Sequence, residues 1–264
     1  MTANRDILSL PPRQRELLER LQGQAFVRVR DLAEILRVDP MTIRRDLNRL
    51  HALGLLERLH GGCRLSVRGA FDRAFAERER LHRRAKKSIG ERAAALVEPG
   101  QLVLIDTGST PLAVAQALSH RRLTDVTIVT SSLPVLWELY DAPHLRVIAL
   151  GGDLQRETGQ LYGPLTENIL ASLIVDIAFM GADGIDAERG FAATTPEAAR
   201  LASAMWKTAR RCIVVADGSK IGAYAPFVYA PLAGSRLITD RLTPEQREEL
   251  QASGLTWEEV EQNR

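Results

Sequence analysis

Six short apolar runs in the last two thirds of the chain constrain its fold more than any other feature. They are Leu102-Val103-Leu104-Ile105, Val126-Thr127-Ile128-Val129, Leu145 to Leu150, Ile177-Ala178-Phe179-Met180, Cys212 to Ala216, and the weaker Leu237-Ile238-Thr239. Helical segments separate them. Strands alternating with helices predict an α/β domain over 98–264, with a mostly parallel sheet covered by helices on both faces.

Five of these runs end in polar loops. The first runs into Asp106-Thr107-Gly108-Ser109-Thr110, after which Pro111 opens a helix predicted over Leu112–Leu118. The others end in Thr130-Ser131-Ser132, Gly151-Gly152-Asp153, Gly181-Ala182-Asp183-Gly184 and Asp217-Gly218-Ser219-Lys220. Open α/β sheets bind ligands at the carboxyl ends of their strands. A Gly/Ser/Thr loop at a helix start offers N–H groups and hydroxyls to an anion, or is a plain capped turn. The glycines let a ligand approach closely. Lys220 reads either as the cation for a phosphate or carboxylate, or as a surface lysine. Hydroxyls, glycines, carboxylates and one lysine converging on one edge point to a ligand site.

The net charge of +2 hides an asymmetry: residues 1–92 carry +9 and residues 93–264 carry −7. A basic end on an acidic remainder suits a polyanion bound at that end, or a salt-bridged helical surface. Residues 1–67 read as a compact helical unit with a short β ending. Pro12–Leu21 is the first helix, Phe26–Val29 an extended piece, and Asp31–Leu36 a short helix. Arg37-Val38-Asp39 then turns into a helix capped by Asp39, with Pro40 at its first position and an end near Leu53. On that helix Ile43, Leu47 and Leu50 share an apolar face, and Met41, Arg45 and Asn48 point away. Thr42, Arg44 and Arg49 flank them. An apolar seam with Arg and Asn beside it is what a DNA recognition helix requires, Asn suiting adenine and Arg guanine. Two strands around Gly61-Gly62 form a wing on which Arg58, His60 and Arg64 can meet phosphates; His60 reads equally as an ordinary turn residue. Residues 68–97 read as a charged helical connector.

Val29, Asp31-Leu32-Ala33, Met41-Thr42-Ile43-Arg44-Arg45-Asp46-Leu47, Leu53-Gly54 and His60-Gly61-Gly62 together resemble the DeoR family of bacterial transcription regulators. Cys63 stands where that family commonly has Ala. The resemblance extends from about residue 13 to 222. It implies a winged helix-turn-helix followed by a sensor domain similar in fold to ribose-5-phosphate isomerase and coenzyme A transferases. It also implies a phosphorylated sugar or related metabolite as effector. Carried over by position, Gly108, Ser109 and Thr110 hold the phosphate, with Asp106, Thr130, Ser131, Gly152, Asp153, Asp183 and Lys220 around the rest. The expected partners are double-stranded operator DNA, the metabolite, and further copies of the chain, since operator symmetry mirrors protein symmetry.

Two rivals remain. One is a sugar-phosphate isomerase with a DNA-binding appendage. Isomerases of that fold pair their Asp-containing segment with a lysine loop, and Ile185-Asp186-Ala187-Glu188-Arg189-Gly190-Phe191 has no lysine. The other is an architectural DNA binder without a ligand, which leaves the polar strand ends unexplained. No cofactor, metal site or catalysis is expected. Cys63 and Cys212 lie far apart and suggest neither a disulfide framework nor metal ligation, as in a reducing cytoplasm. No run of 18 apolar residues predicts a membrane span.

Overall fold

The structure is a computed structural model that describes residues 10–66, 75 and 77–261. The chain divides into two units, 1–81 with 156–158 and 82–155 with 159–264, the second of which contains every helix and strand from His82 onward. Of the predicted connector, residues 68–74 and 76 lie outside the described residues.

The first unit runs α1 (Pro12–Arg20), β1 (Val27–Arg28), α2 (Val29–Leu36), α3 (Pro40–Ala52), β2 (Leu56–Leu59) and β3 (Gly62–Leu65). As predicted, Asp39 caps α3: its carboxylate accepts the Met41 N–H at 2.7 Å, and Pro40 follows where no N–H is needed. Ile43, Leu47 and Leu50 are fully buried against Leu17, Leu18, Leu21, Leu32, Leu55 and Leu56. The expected hairpin is a three-stranded sheet, because β1 pairs with β3 on the side away from β2. Its two-residue turn is His60-Gly61, and Gly62 already pairs with Leu59. A Cβ on Gly62 would lie 2.2 Å from the Val27 carbonyl oxygen and 2.5 Å from the Phe26 ring. Glycine there admits the third strand.

The second unit begins with α4 (Arg83–Ala94), then β4 (Leu102–Ile105), α5 (Ser109–Ser119), β5 (Thr127–Thr130), α6 (Leu133–Tyr140) and β6 (Arg146–Ala149). A hairpin follows, β7 (Asp153–Gln155) and β8 (Gln160–Tyr162), then α7 (Pro164–Ala171) and β9 (Ile177–Met180). Next come β10 (Gly184–Asp186), β11 (Gly190–Ala193), α8 (Pro196–Thr208), β12 (Cys212–Val215) and β13 (Phe227–Ala230). β14 (Arg236–Asp240), α9 (Pro244–Gln251) and β15 (Thr256–Val260) complete it.

Seven strands form one sheet in the order β15-β14-β12-β9-β4-β5-β6, all parallel to their neighbours. Neighbouring residues of a strand face opposite sides. Leu104, Ala178, Met180, Val214 and Leu237 pack with Phe191, Leu201, Met205 and Leu232 in one core. Val103, Ile105, Ile177, Phe179, Ile213 and Val215, the intervening residues, are equally buried. Burial on both faces is why these strands read as unbroken apolar runs. The β10-β11-β13 sheet and the β7–β8 hairpin lie outside this main sheet.

One boundary differs from expectation. The connector was expected to extend to residue 97, but α4 is part of the α/β unit. Ala85, Ile89, Ala93 and Ala94 are buried, and α4 packs on α5, β14 and β15. A Cβ at Gly90 would lie 2.4 Å from the Ala113 carbonyl oxygen, so the two helix backbones nearly touch. Lys86 Nζ lies 3.8 Å from Asp217 Oδ2 with both side chains almost fully buried, and Arg92 pairs with Glu258. Lys86 and Arg92 look like part of a solvated face in sequence because their partners lie more than 100 residues away, whereas Arg83, Arg84 and Lys87 are indeed exposed.

Candidate functional site

In the first unit, α3 is held by its buried carboxylate. Asp46 accepts Arg13 Nε at 2.6 Å and Gln14 Nε2 at 2.8 Å, both from α1. Burial works to raise the Asp46 pKa, but the bonds to Arg13 and Gln14 overcome it, and the net displacement is downward. With Asp46 tied inward, Arg44, Arg45, Asn48 and Arg49 are all exposed and Thr42 is half-buried. The wing meets the helix: Arg58 donates to Asn48 Oδ1. Arg64 pairs with Glu57, its partner across the β2–β3 ladder, at 2.6 Å, so part of its charge is answered within the wing. His60 is exposed at the turn. The eight residues expected to face DNA thus come together on one helix and one hairpin, with Arg58 and Arg64 engaged by Asn48 and Glu57.

In the second unit, chain direction across the sheet reverses between β4 and β9: β5 and β6 continue on one side, and β9, β12, β14 and β15 on the other. Such switch points open a crevice at the strand ends. Asp106 sits there, 6 % exposed. Its carboxyl accepts the Thr107 N–H at 2.7 Å, the Gly181 N–H at 3.2 Å and Gln160 Nε2 at 3.4 Å. Burial pushes its pKa up to about 7, against the pull of the two backbone N–H groups and with a smaller push from Asp183. Beneath it Tyr229 donates to the Gly181 carbonyl at 2.6 Å, and its ring packs with Phe191 and Trp206 at centroid distances of 6.2 and 6.5 Å.

Beside Asp106, α5 starts at Ser109, three residues earlier than expected, with Gly108 as its N-cap at φ 121° and no side-chain cap. Ser109 and Thr110 therefore head the helix, where N–H groups lack intrahelical partners. The Thr107 hydroxyl lies 3.3 Å from the Ser132 hydroxyl. Ser131 Oγ is buried and has no hydrogen-bond partner among the described residues. Asp183 is exposed, and its Oδ2 accepts both the N–H and the hydroxyl of Thr194.

Four expected ligand residues make their contacts elsewhere. The Thr130 hydroxyl donates to the Ile105 carbonyl at 2.7 Å and accepts the Ser132 N–H, stapling β4 to β5 with no exposure. Gly152 at φ 139° makes room for its own chain: a Cβ would lie 2.2 Å from Thr166 Oγ1 and 2.3 Å from the Tyr162 carbonyl oxygen. Asp153 is exposed at the base of the hairpin, its carboxylate beside Gly163, and among the described residues no hydrogen bond joins it to Asp106. Lys220 ends the short 3-10 turn Gly218–Lys220 and is half-buried; among the described residues no ion pair joins it to Asp106 or Asp183. That turn is held by Asp217, whose Oδ1 accepts the Ser219 N–H, and by Asp240, which accepts the Gly218 N–H at 2.8 Å.

Gln160, 2 % exposed, and Lys86 were not expected at the strand ends. Gln160 arrives because the hairpin crosses the end of β5, where the Leu161 N–H bonds the Ser131 carbonyl at 2.8 Å and Leu133 bonds Gly159. Its segment has no apolar run to announce a strand. No group of three or more metal-ligating side chains occurs among the described residues, and no helix there is long and apolar enough to cross a membrane.

Residues 13–67 match the family described as the DeoR-like helix-turn-helix domain, and residues 81–241 match the DeoR C terminal sensor domain. The chain belongs to the DeoR family. It is a DNA-binding transcriptional regulator with a small-molecule sensor domain. Among its curated relatives, the transcriptional repressor AccR of Agrobacterium fabrum is 34 % identical over 80 % of this DeoR-family chain and 82 % of its own. The HTH-type transcriptional regulator GlpR of Haloferax volcanii is 32 % identical over 92 % and 95 %, and the glycerol-3-phosphate regulon repressor of Escherichia coli 31 % over 79 % and 82 %. Among solved structures, ribose 5-phosphate isomerase A of Methanocaldococcus jannaschii aligns over 53 % of this chain and 55 % of its own at TM-score 0.40 and 20 % identity. The translation initiation factor eIF-2B of Pyrococcus horikoshii aligns over 83 % and 82 % at TM-score 0.41 and 16 % identity.

Proposed function

We infer that this regulator represses a carbohydrate-use operon, and that a phosphorylated sugar bound in the α/β unit changes its operator affinity. The observation that carries this reading is the crevice between β4 and β9, where a buried Asp106 adjoins the uncapped start of α5. The phosphate is assigned to the first N–H groups of α5 and the hydroxyls of Ser109 and Thr110, because a helix N-terminus favours an anion. Asp106 and Gln160 then face sugar hydroxyls, which suit a carboxyl group better than a phosphate does. Lys220 supplies a cation at the rim. The names of two relatives, the transcriptional repressor AccR and the glycerol-3-phosphate regulon repressor, agree with repression, and the second names a phosphorylated metabolite. The protein acts as an oligomer, matching a two-fold operator. No cofactor takes part, and the protein works in the cytoplasm.

The test is operator binding titrated with a panel of sugar phosphates at fixed salt. One of them should change the affinity, and its unphosphorylated sugar should not. A Ser109→Asp variant places a negative charge at the proposed phosphate position. It should bind operator normally and ignore the effector. A normal response from that variant at the same effector concentration would move the phosphate elsewhere.

A further inference from the structure

The direction of the hydrogen bond between wing and recognition helix is settled by chemistry. An arginine side chain carries five N–H donors and no acceptor; an asparagine side chain carries one acceptor oxygen and one nitrogen with two donors. Arg58 donates through Nη1 to Asn48, so the Asn48 atom engaged must be the oxygen. Its Nδ2, with two hydrogens, makes no hydrogen bond among the described residues, and the residue is exposed. Arg58 is half-buried on β2, where its backbone pairs with Cys63, so the bond is anchored on the wing sheet.

We propose that Arg58 fixes Asn48 as a donor-only reader, so that Asn48 selects guanine and rejects adenine. The proposal rests on the assignment of α3 as the DNA-reading helix. An asparagine normally reads adenine with both ends of its amide: the oxygen accepts from N6 and the nitrogen donates to N7. Arg58 occupies the oxygen. The free end then offers only N–H groups, and these oppose the N6 amino group of adenine. Guanine presents two adjacent acceptors in the major groove, N7 and O6, and both match. The remaining N–H groups of Arg58 have the same polarity, as do the guanidinium groups of Arg44, Arg45 and Arg49. Helix type and residue type alone would therefore assign the wrong base at this position.

The experiment uses the full chain to select duplexes from a randomised library at one salt concentration, with wild type, Asn48→Ala and Arg58→Met in parallel. The base position whose preference disappears in Asn48→Ala is the one Asn48 reads. Wild type should prefer guanine there by on the order of tenfold over adenine. Replacing that guanine by 7-deazaguanine, which lacks the N7 acceptor, should lower affinity. In Arg58→Met the amide is released, and adenine should become as acceptable as guanine at that position alone. Adenine preferred by wild type, or an Arg58→Met preference identical to wild type, overturns the proposal. An Asn48→Ala variant that keeps every preference also overturns it. A wild type that enriches no sequence at all overturns the DNA-reading assignment of α3 itself, an outcome distinct from the others.

Discussion

Replacing Asp106 by Asn should flatten the pH dependence of stability between pH 4 and pH 8. Burial holds the folded-state pKa of Asp106 at about 7, against 3.8 for the free side chain. A carboxyl whose pKa is raised by folding keeps its proton in the native state where the unfolded chain has lost it. Its contribution is complete below about pH 4 and is lost as pH rises through about 7. The separation of about three pH units corresponds to roughly 4 kcal/mol at about 1.4 kcal/mol per unit. Asparagine has the same shape and does not titrate. It also turns a donor toward the Gly181 N–H or the Thr107 N–H, which adds an offset of about 1–3 kcal/mol that does not vary with pH. The decisive quantity is therefore the change with pH in the stability difference between the two proteins. Denaturant unfolding at half-unit steps from pH 4.5 to 8 measures it, and all other titrations cancel in the difference. Relative to wild type, the variant should gain steadily with rising pH, levelling off above about 7.5. Two parallel curves would show that Asp106 ionises normally in the folded crevice, and the burial argument would fail.

Removing the acceptor of the α1–α3 clamp, in Asp46→Ala, should cost about 1–3 kcal/mol, below the figure for a fully buried pair because Arg13 is 45 % exposed. The Asp46 pKa is lowered in the folded state, so its contribution is present above the ordinary carboxylate range and lost as pH falls through the lower folded value; acid unfolding of wild type and variant should converge there. Gly90→Ala gains about 1 kcal/mol of helix propensity but places a Cβ 2.4 Å from the backbone oxygen of Ala113. The backbone cannot yield as a side chain does, so a net loss of about 1–3 kcal/mol is expected from thermal unfolding, and a gain would refute the close packing of α4 on α5. Arg45→Ala should lower operator affinity by roughly 1–3 kcal/mol if the residue reads a base, or weaken all sequences alike with a shallower salt slope if it meets phosphate; unchanged affinity at every salt would remove it from the interface.

Local chemistry alone determined a good deal of this protein. The start of α3 is written in Asp39-Pro40, because a cap and a missing N–H act within four residues. The apolar spacing of Ile43, Leu47 and Leu50 fixes which face is buried, and the main strands follow from runs that need cover on both sides. The six expected strands are the six inner and edge strands β4, β5, β6, β9, β12 and β14. The seventh, β15, contains Glu258 and Glu259, whose charges are answered by Arg92, Arg236 and Arg247 from elsewhere, so its sequence lacks the apolar signature. Tertiary structure decided the rest. It alone shows that the Thr130 hydroxyl is spent on the Ile105 carbonyl and that Gly152 yields to Thr166, because a hydroxyl or a glycine looks the same whether its neighbour is a ligand or another strand. It alone brings Gln160 to Asp106 across 54 residues of chain, and Lys86 to Asp217 across more than twice that distance. Pairings at such separation depend on the order of strands in the sheet. No local pattern encodes that order, whereas the free energy of caps, periodicity and apolar runs is set by residues a turn or two away.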